Sequence, residues 1–187
     1  MRKEPVTVYF LEMHRPTQLR PAYSQRTDLA VRHVKMPSPE FNRFLYAAVG
    51  ADWYWLDRLQ WSYAQWQQWL TQSTVQTWVL YVAETPAGYF ELEQQTNGEV
   101  VICYFGLMPQ FTGQGLGGYL LTVAVENAWA IPATRVKLNT CTLDHDAALA
   151  NYQARGFTIY REITEYRMLP DEPLGPWPGC WLPDEHK

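Results

Sequence analysis

The sequence contains no apolar run approaching the ~18 residues that a membrane-spanning helix requires, so no membrane partner is expected. It also lacks any cluster of Lys and Arg. With 15 Lys and Arg against 19 Asp and Glu, a net charge of −4 and a pI near 5.5, the chain is too poor in positive charge to grip duplex nucleic acid, whose binding relies on a dense basic surface. Cysteine is scarce: Cys103, Cys141 and Cys180 form neither a disulfide framework nor a C-x-x-C zinc pattern. The histidines His14, His33, His145 and His186 are as scattered, so no metal site is expected. Met1-Arg2-Lys3-Glu4-Pro5 leads into a strand-like stretch without a signal peptide's apolar core, which predicts a cytoplasmic location. Nothing repeats internally.

What is present is a core-forming composition, 47% hydrophobic over 187 residues. That length predicts a single domain over 1–170, followed by a Pro-rich tail, 171–187, holding Pro173, Pro176, Pro178 and Pro183. Aromatics are abundant: 9 Trp, 12 Tyr and 7 Phe, many of the Trp packed between Trp53 and Trp78. Val6 to Met13 alternates as a strand, Phe41 to Val49 reads as a helix stopping at Gly50, and Asp52 to Leu70 carries apolar positions at near-helical spacing. Thr77 to Ala83 and Tyr89 to Glu93 read as a hairpin turning at Thr85-Pro86-Ala87-Gly88, and Thr96-Asn97-Gly98 makes a second turn. Val100 to Phe105 fits a buried strand. Tyr119 to Trp129 suits a buried helix, Arg135 to Thr142 a strand, and Asp144 to Arg155 a short helix capped by Asp144 and stopped by Gly156. Phe157 to Tyr160 and Glu165 to Leu169 read as a last pair of strands.

The most informative segment is Gln110-Phe111-Thr112-Gly113-Gln114-Gly115-Leu116-Gly117-Gly118. Glycines packed before a helix bare backbone N–H groups at its positive end, where phosphates bind. A phosphate-binding loop of the kinase type needs Lys-Ser/Thr after its glycines, and here Tyr119-Leu120 follow Gly118. A dinucleotide fingerprint is met in letters by Gly113, Gly115 and Gly118, but the next strand offers Asn139 in place of a ribose-binding acid, and the motif lies past the chain's midpoint.

Gln110-x-x-Gly113-x-Gly115 resembles the Q/R-x-x-G-x-G/A signature of the GNAT superfamily of acetyl-CoA-dependent N-acyltransferases. Ala148 to Phe157 is similar to that family's A-x-x-x-Y-x-x-x-G-F segment, and the likeness runs over about 75–169. The resemblance implies an α/β fold with a mixed, mostly antiparallel sheet of about seven strands flanked by about four helices. The sheet would be splayed between Val100–Leu107 and Arg135–Thr142, with acetyl-CoA in the cleft. It implies that the pyrophosphate sits on the 111–118 amides, that pantetheine pairs with the strand edge at Phe105, Leu107 and Met108, and that a backbone N–H near Leu107 holds the thioester oxygen. Asp146 stands where the family often has Asn beside pantetheine.

The implied reaction is attack of the primary amine of a small-molecule acceptor on the thioester, with no metal. Tyr152 is the candidate acid for the leaving thiolate, and Glu91 and Glu93, two residues apart on one strand face, are candidate bases, with Glu99 a third. Each carboxylate also reads as an ordinary solvated charge. A dyad of His145 and Asp144 with Cys141 as acyl carrier is a competing reading. Trp53, Tyr54 and Trp55 are candidates to line an acceptor site for a bulky apolar or cationic amine, while Trp66 and Trp69 read as core. A catalytically silent acyl-CoA-binding or regulatory domain is the alternative function. The aromatic-rich N-terminal half and the tail leave room for a homodimer surface.

Overall fold

The computed structural model describes residues 1–50, 52–173 and 175. Seven strands form one sheet: β1 (Arg2–Met13), β2 (Leu29–His33), β3 (Val75–Val82), β4 (Thr85–Gln94), β5 (Glu99–Leu107), β6 (Arg135–Cys141) and β7 (Thr158–Leu169). Four α-helices accompany them: α1 (Pro39–Gly50), α2 (Tyr63–Leu70), α3 (Leu116–Ala130) and α4 (Ala148–Ala154). The sheet order is β2-β3-β4-β5-β6-β1-β7. All its pairings are antiparallel except β5 with β6. This is the mixed α/β architecture the sequence implies. None of the described helices is long and apolar enough to cross a membrane.

Alternation along the strands sends side chains to two cores. Leu80, Phe90, Leu92 and Ile102 pack with Leu120, Leu121, Ala124 and Val125 of α3. On the other face Val79 and Tyr89 meet Leu45 and Val49 of α1. Helices thus cover both faces, and β5 lies between them.

The parallel β5–β6 ladder is short. It pairs Glu99 with Arg135, Val100 with Val136 and Val101 with Lys137, and then stops. Beyond it the strands diverge, leaving the β6-facing backbone of Ile102–Leu107 without a ladder partner, which is the expected splay. The closed end is clamped electrostatically. Glu99 forms ion pairs with both Arg135 and Lys137, and Arg135 also reaches Glu12 of β1 at 2.7 Å. The Lys137 bond, reinforced by Asn97 and Arg135, holds the Glu99 carboxyl down at about 2. A carboxylate so pinned cannot take a proton from an amine near neutrality, so Glu99 is no base. Its folded-state pKa lies below the ~4.3 of an unfolded glutamate. Its stabilisation is therefore complete above that value and is lost as pH falls toward 2. Glu99→Gln should cost about 1–2 kcal/mol at neutral pH in denaturant unfolding, with variant and wild type converging in strong acid.

Several elements differ from the sequence expectation. β1 starts at Arg2 and lies inside the sheet, paired with β6 on one side and β7 on the other. β2 was not expected. The 52–70 stretch is not one helix: Trp53 and Trp55 both donate their N–H to the Gly50 carbonyl, Tyr54 has φ 58°, and Asp57–Gln60 is a 3-10 turn. A fresh helix then starts at the Ser62/Gln65 capping box. The hairpin turns at Ala83 and Glu84, both at positive φ. Thr85–Gly88 belongs to β4, where Pro86 sits at a register shift that tolerates its missing N–H. Asp144 does not cap α4, whose N-cap is Ala147. Its carboxylate instead accepts from the Thr140 hydroxyl (2.7 Å) and the Cys141 amide (2.9 Å), tightening the turn after β6. The final strand pair is one strand, β7, held along its length by β1. Most of the Pro-rich tail lies outside the described residues.

Candidate active site

Where β5 and β6 diverge, a cavity of about 580 Å³ opens between α3, α4 and the loop after α1. Its first wall is the glycine loop: Thr112, Gly113, Gly115, Gly117 and Gly118 line it. Gly113 and Gly115 take φ of +73° and +74°, a conformation costly for side-chain-bearing residues, and the space beyond each is empty. Gly115 is the N-cap of α3. The amides of residues 115–118 therefore have no intrahelical acceptor, and no loop carbonyl meets them among the described residues. They form a cradle of bare N–H groups at the positive helix end. Gly118 is closely packed: a Cβ there would lie 2.7 Å from Arg155 Nη1 and 3.2 Å from Ala22.

The second wall is the free stretch of β5, with Phe105, Gly106 and Leu107, facing Leu138, Asn139 and Cys141 of β6. Tyr152, on α4, opens onto the same space. Its ring is wedged edge-on against Phe105 and Phe157, at 5.8 and 6.4 Å, and it is only 6% exposed. Burial, reinforced by the nearby Asp144 charge, pushes its hydroxyl far above the usual tyrosine range. Tyr152 thus holds its proton until a strong acceptor appears.

Aromatic rings make the third wall. Trp53, Tyr54 and Trp55 line the cavity with Tyr46 and Tyr104. Trp55 packs against Tyr104 and Tyr46 at 5.0 and 5.4 Å. The Tyr54 hydroxyl accepts from Arg2 Nη2 at 3.0 Å, and Trp53 meets the His145 ring at 5.2 Å, bringing the two banks of the cleft together. Asp57 also lines this end.

Most of the other sequence candidates do not line the cavity. Glu91 is 1% exposed and committed: its Oε1 accepts from Arg58 Nη1 at 2.8 Å and from Trp69 Nε1 at 3.0 Å. Burial raises its pKa more than Arg58 lowers it. Glu93 accepts from the Cys103 thiol at 3.7 Å. Neither carboxylate lines the cavity. Met108 spends its N–H on the Ala87 carbonyl (2.9 Å), and Leu116 is a core residue. Gln110 and Gln114 bond each other through the Gln110 carbonyl, Phe111 packs against the core, and Asp146 is exposed between His145 and Ala147, which line the cavity while it does not. Cys141, Asp144 and His145 line the cavity, but the dyad of His145 and Asp144 with Cys141 as acyl carrier is not assembled, since each is engaged elsewhere. Burial pushes the Cys141 thiol up, Asp144 is occupied by its own turn, and His145 Nδ1 accepts from the Ala147 amide at 3.0 Å.

Sequence reasoning missed Tyr46, Asp57, Tyr104 and Asn151, which line the cavity. Asn151 lies inside the family-like segment Ala148 to Phe157, one residue before Tyr152, and that segment was the only signal for it. It also missed Arg58, around which Trp61, Trp66 and Trp69 gather. The buried Arg58 guanidinium lies 4.4–4.6 Å from the ring centres of Tyr104, Trp69 and Trp61. Among the described residues no cluster of three His, Cys, Asp or Glu could hold a metal ion.

Comparison with known proteins agrees with this geometry. Residues 39–157 match the Acetyltransferase (GNAT) family, and no curated protein matches the chain. Among solved structures, a GCN5-related N-acetyltransferase from Sphaerobacter thermophilus is similar at TM-score 0.66 and 16% identity, covering 89% of this chain and 52% of that one. One from Kribbella flavida has TM-score 0.63 and 15% identity, covering 86% and 57%. The chain thus spans little more than half the length of these two. An aminoglycoside acetyltransferase from an uncultured soil metagenomic sample has TM-score 0.58 and 16% identity, covering 68% of this chain and 87% of its own. At these identities the likeness is one of fold. The family match extends over most of the sequence and contains the glycine loop, the splayed strands and Tyr152, so the chain belongs to the GNAT acetyltransferase family.

Proposed function

We propose that the protein is an N-acetyltransferase that moves an acetyl group from acetyl-CoA to the primary amine of a small-molecule acceptor by direct attack. The observation that carries this reading is the continuity of one cavity from the bare amides of residues 115–118, past the unpaired edge of β5 and Tyr152, to the aromatic wall. An anionic diphosphate suits the first part, an extended amide-bearing arm the second, and an amine the third.

Acetyl-CoA, when bound, supplies the thioester carbonyl carbon that the amine attacks. The chain's own groups do the rest. The cradle amides hold the pyrophosphate, and the open β5 edge aligns the arm. The Leu107 N–H faces the developing oxygen charge. Asp57 and the rings at the mouth draw in the ammonium form of the acceptor, which passes its proton to water before attack. As the C–N bond forms and the C–S bond breaks, Tyr152 donates its proton to sulfur. Its phenolate is then strongly disfavoured in that site and recovers the proton shed by the amine nitrogen. Glu91 and Glu93 receive no proton-transfer role, because the first is locked to Arg58 and both lie off the cavity.

A thiolate is a weakly basic leaving group, so Tyr152→Phe should lower kcat only about 10-fold, below the ~10²–10⁴-fold of ordinary general-acid effects, with the acetyl-CoA dissociation constant unchanged. Thiol release over a panel of primary amines measures the first, and calorimetry the second. The sequestration of Glu91 favours one second reading, a silent acyl-CoA-binding domain. Tight acetyl-CoA binding with no thiol release from any amine would support it instead.

A further inference from the structure

We propose that β7 pairs antiparallel with β7 of a second copy of this chain, about a two-fold axis through Ile163, joining the two sheets into one. β7 is the last strand of the sheet, and among the described residues no strand covers its outer edge. It is twelve residues long and exposed along most of that length, whereas the opposite edge strand, β2, has five residues. A long strand with a free row of N–H and C=O groups is a template for another strand. Asp171 accepts from the Met1 amino group and its carbonyl from Arg2, which ties the exit to β1 on the inner side.

The sequence of β7 selects the occupant. An axis perpendicular to the sheet keeps each residue on its own face. Centred on Ile163, it sets Arg161 opposite Glu165 twice and Ile163 against itself, all on the face that Phe10, Val8 and Val6 occupy in β1. Tyr160 lies in the bulge where β7 slips against β1 and takes no part in this ladder. Opposite charges set across from each other are favourable cross-strand pairs. The neighbouring face-preserving registers fail on charge. Centring on Thr164 puts Arg161 against Arg167, and centring on Glu162 puts Glu162 against itself. A strand that is self-complementary in one register and self-repelling in the adjacent two fits a second copy of itself, through an isologous interface.

Sedimentation velocity on the full chain, from micromolar to several hundred micromolar, tests this. The wild type should form a discrete dimer. Arg161→Glu and Glu165→Arg, each turning two attractive pairs into two repulsive ones, should weaken it about 10- to 100-fold while keeping the wild-type melting temperature. Mixing the two variants restores both pairs, Glu at 161 against Arg at 165 and the reverse, and should give a heterodimer of wild-type affinity. A wild type that stays monomeric over the whole range, single variants that dimerise as the wild type does, or a mixture that fails to recover would each overturn the proposal.

Discussion

Gly117→Glu should lower acetyl-CoA affinity by about 100-fold or more in calorimetric titration, with the melting temperature unchanged or raised. Gly117 lines the cavity in the first turn of α3, so a carboxylate there stands where the cradle would hold the pyrophosphate. At an effective dielectric constant near 20, two unit charges about 4 Å apart repel by about 4 kcal/mol, and about 2.7 kcal/mol already corresponds to 100-fold. The fold itself should accept the change. The nearest atom to an added Cβ is Asn151 Nδ2 at 3.6 Å, an ordinary contact, and no positive φ is required. Glycine to glutamate gains roughly 0.5–1 kcal/mol of helix propensity, and an acid in a first turn complements the helix dipole. Gly115→Glu would be a poorer probe because its φ of +74° adds strain to any loss of binding. Gly117→Ala, which adds bulk without charge, should bind nearly normally. Wild-type affinity in Gly117→Glu would remove the phosphate assignment of the loop.

The parts of this protein that could be read from its sequence are those fixed by short-range physics. The glycines before α3 announced a helix start with bare amides, and Arg135 to Thr142 read as a strand, found at Arg135–Cys141. The spacing around Tyr152 placed it on a short helix stopped by Gly156 at φ 102°. What could not be read depends on distant segments. The inner position of β1 arises because β6 and β7, more than a hundred residues away, both pair with it. Glu91 and Glu93 looked equivalent in sequence, but only Glu91 meets Arg58, and that meeting requires the chain to break its helical course at Tyr54 and re-enter a helix at Ser62. Nothing local in Arg58 distinguishes it from a solvated arginine. The abundance of tryptophan was legible, but not that three of them, Trp61, Trp66 and Trp69, surround a cation of the same chain.

That partnership carries the largest expected stability effect. Arg58→Ala should destabilise the protein by about 3–5 kcal/mol in denaturant unfolding at neutral pH, the cost of leaving a buried carboxylate uncompensated. Glu91 would keep only the Trp69 N–H as a donor, and the rings of Trp61, Trp69 and Tyr104 would lose the guanidinium they enclose. The pH dependence follows from the direction of the Glu91 shift. Burial already places its folded-state pKa above the unfolded value despite Arg58. Such a group favours folding most below the unfolded pKa and loses that contribution as pH rises through the folded one. Removing Arg58 removes the influence that lowers the pKa, so the loss in the variant extends further and is greatest where the carboxylate is forced to ionise. The gap between Arg58→Ala and wild type should therefore shrink as pH falls into the carboxylate range, down to the pH-independent part due to the lost packing among Trp61, Trp69 and Tyr104. The double variant Arg58→Met, Glu91→Leu distinguishes charge from packing. With both charges gone and the volume largely kept, it should recover most of the lost stability and show no pH-dependent gap. A double variant as unstable as Arg58→Ala would mean that the guanidinium's packing among the rings, and not its pairing with Glu91, holds this part of the fold together.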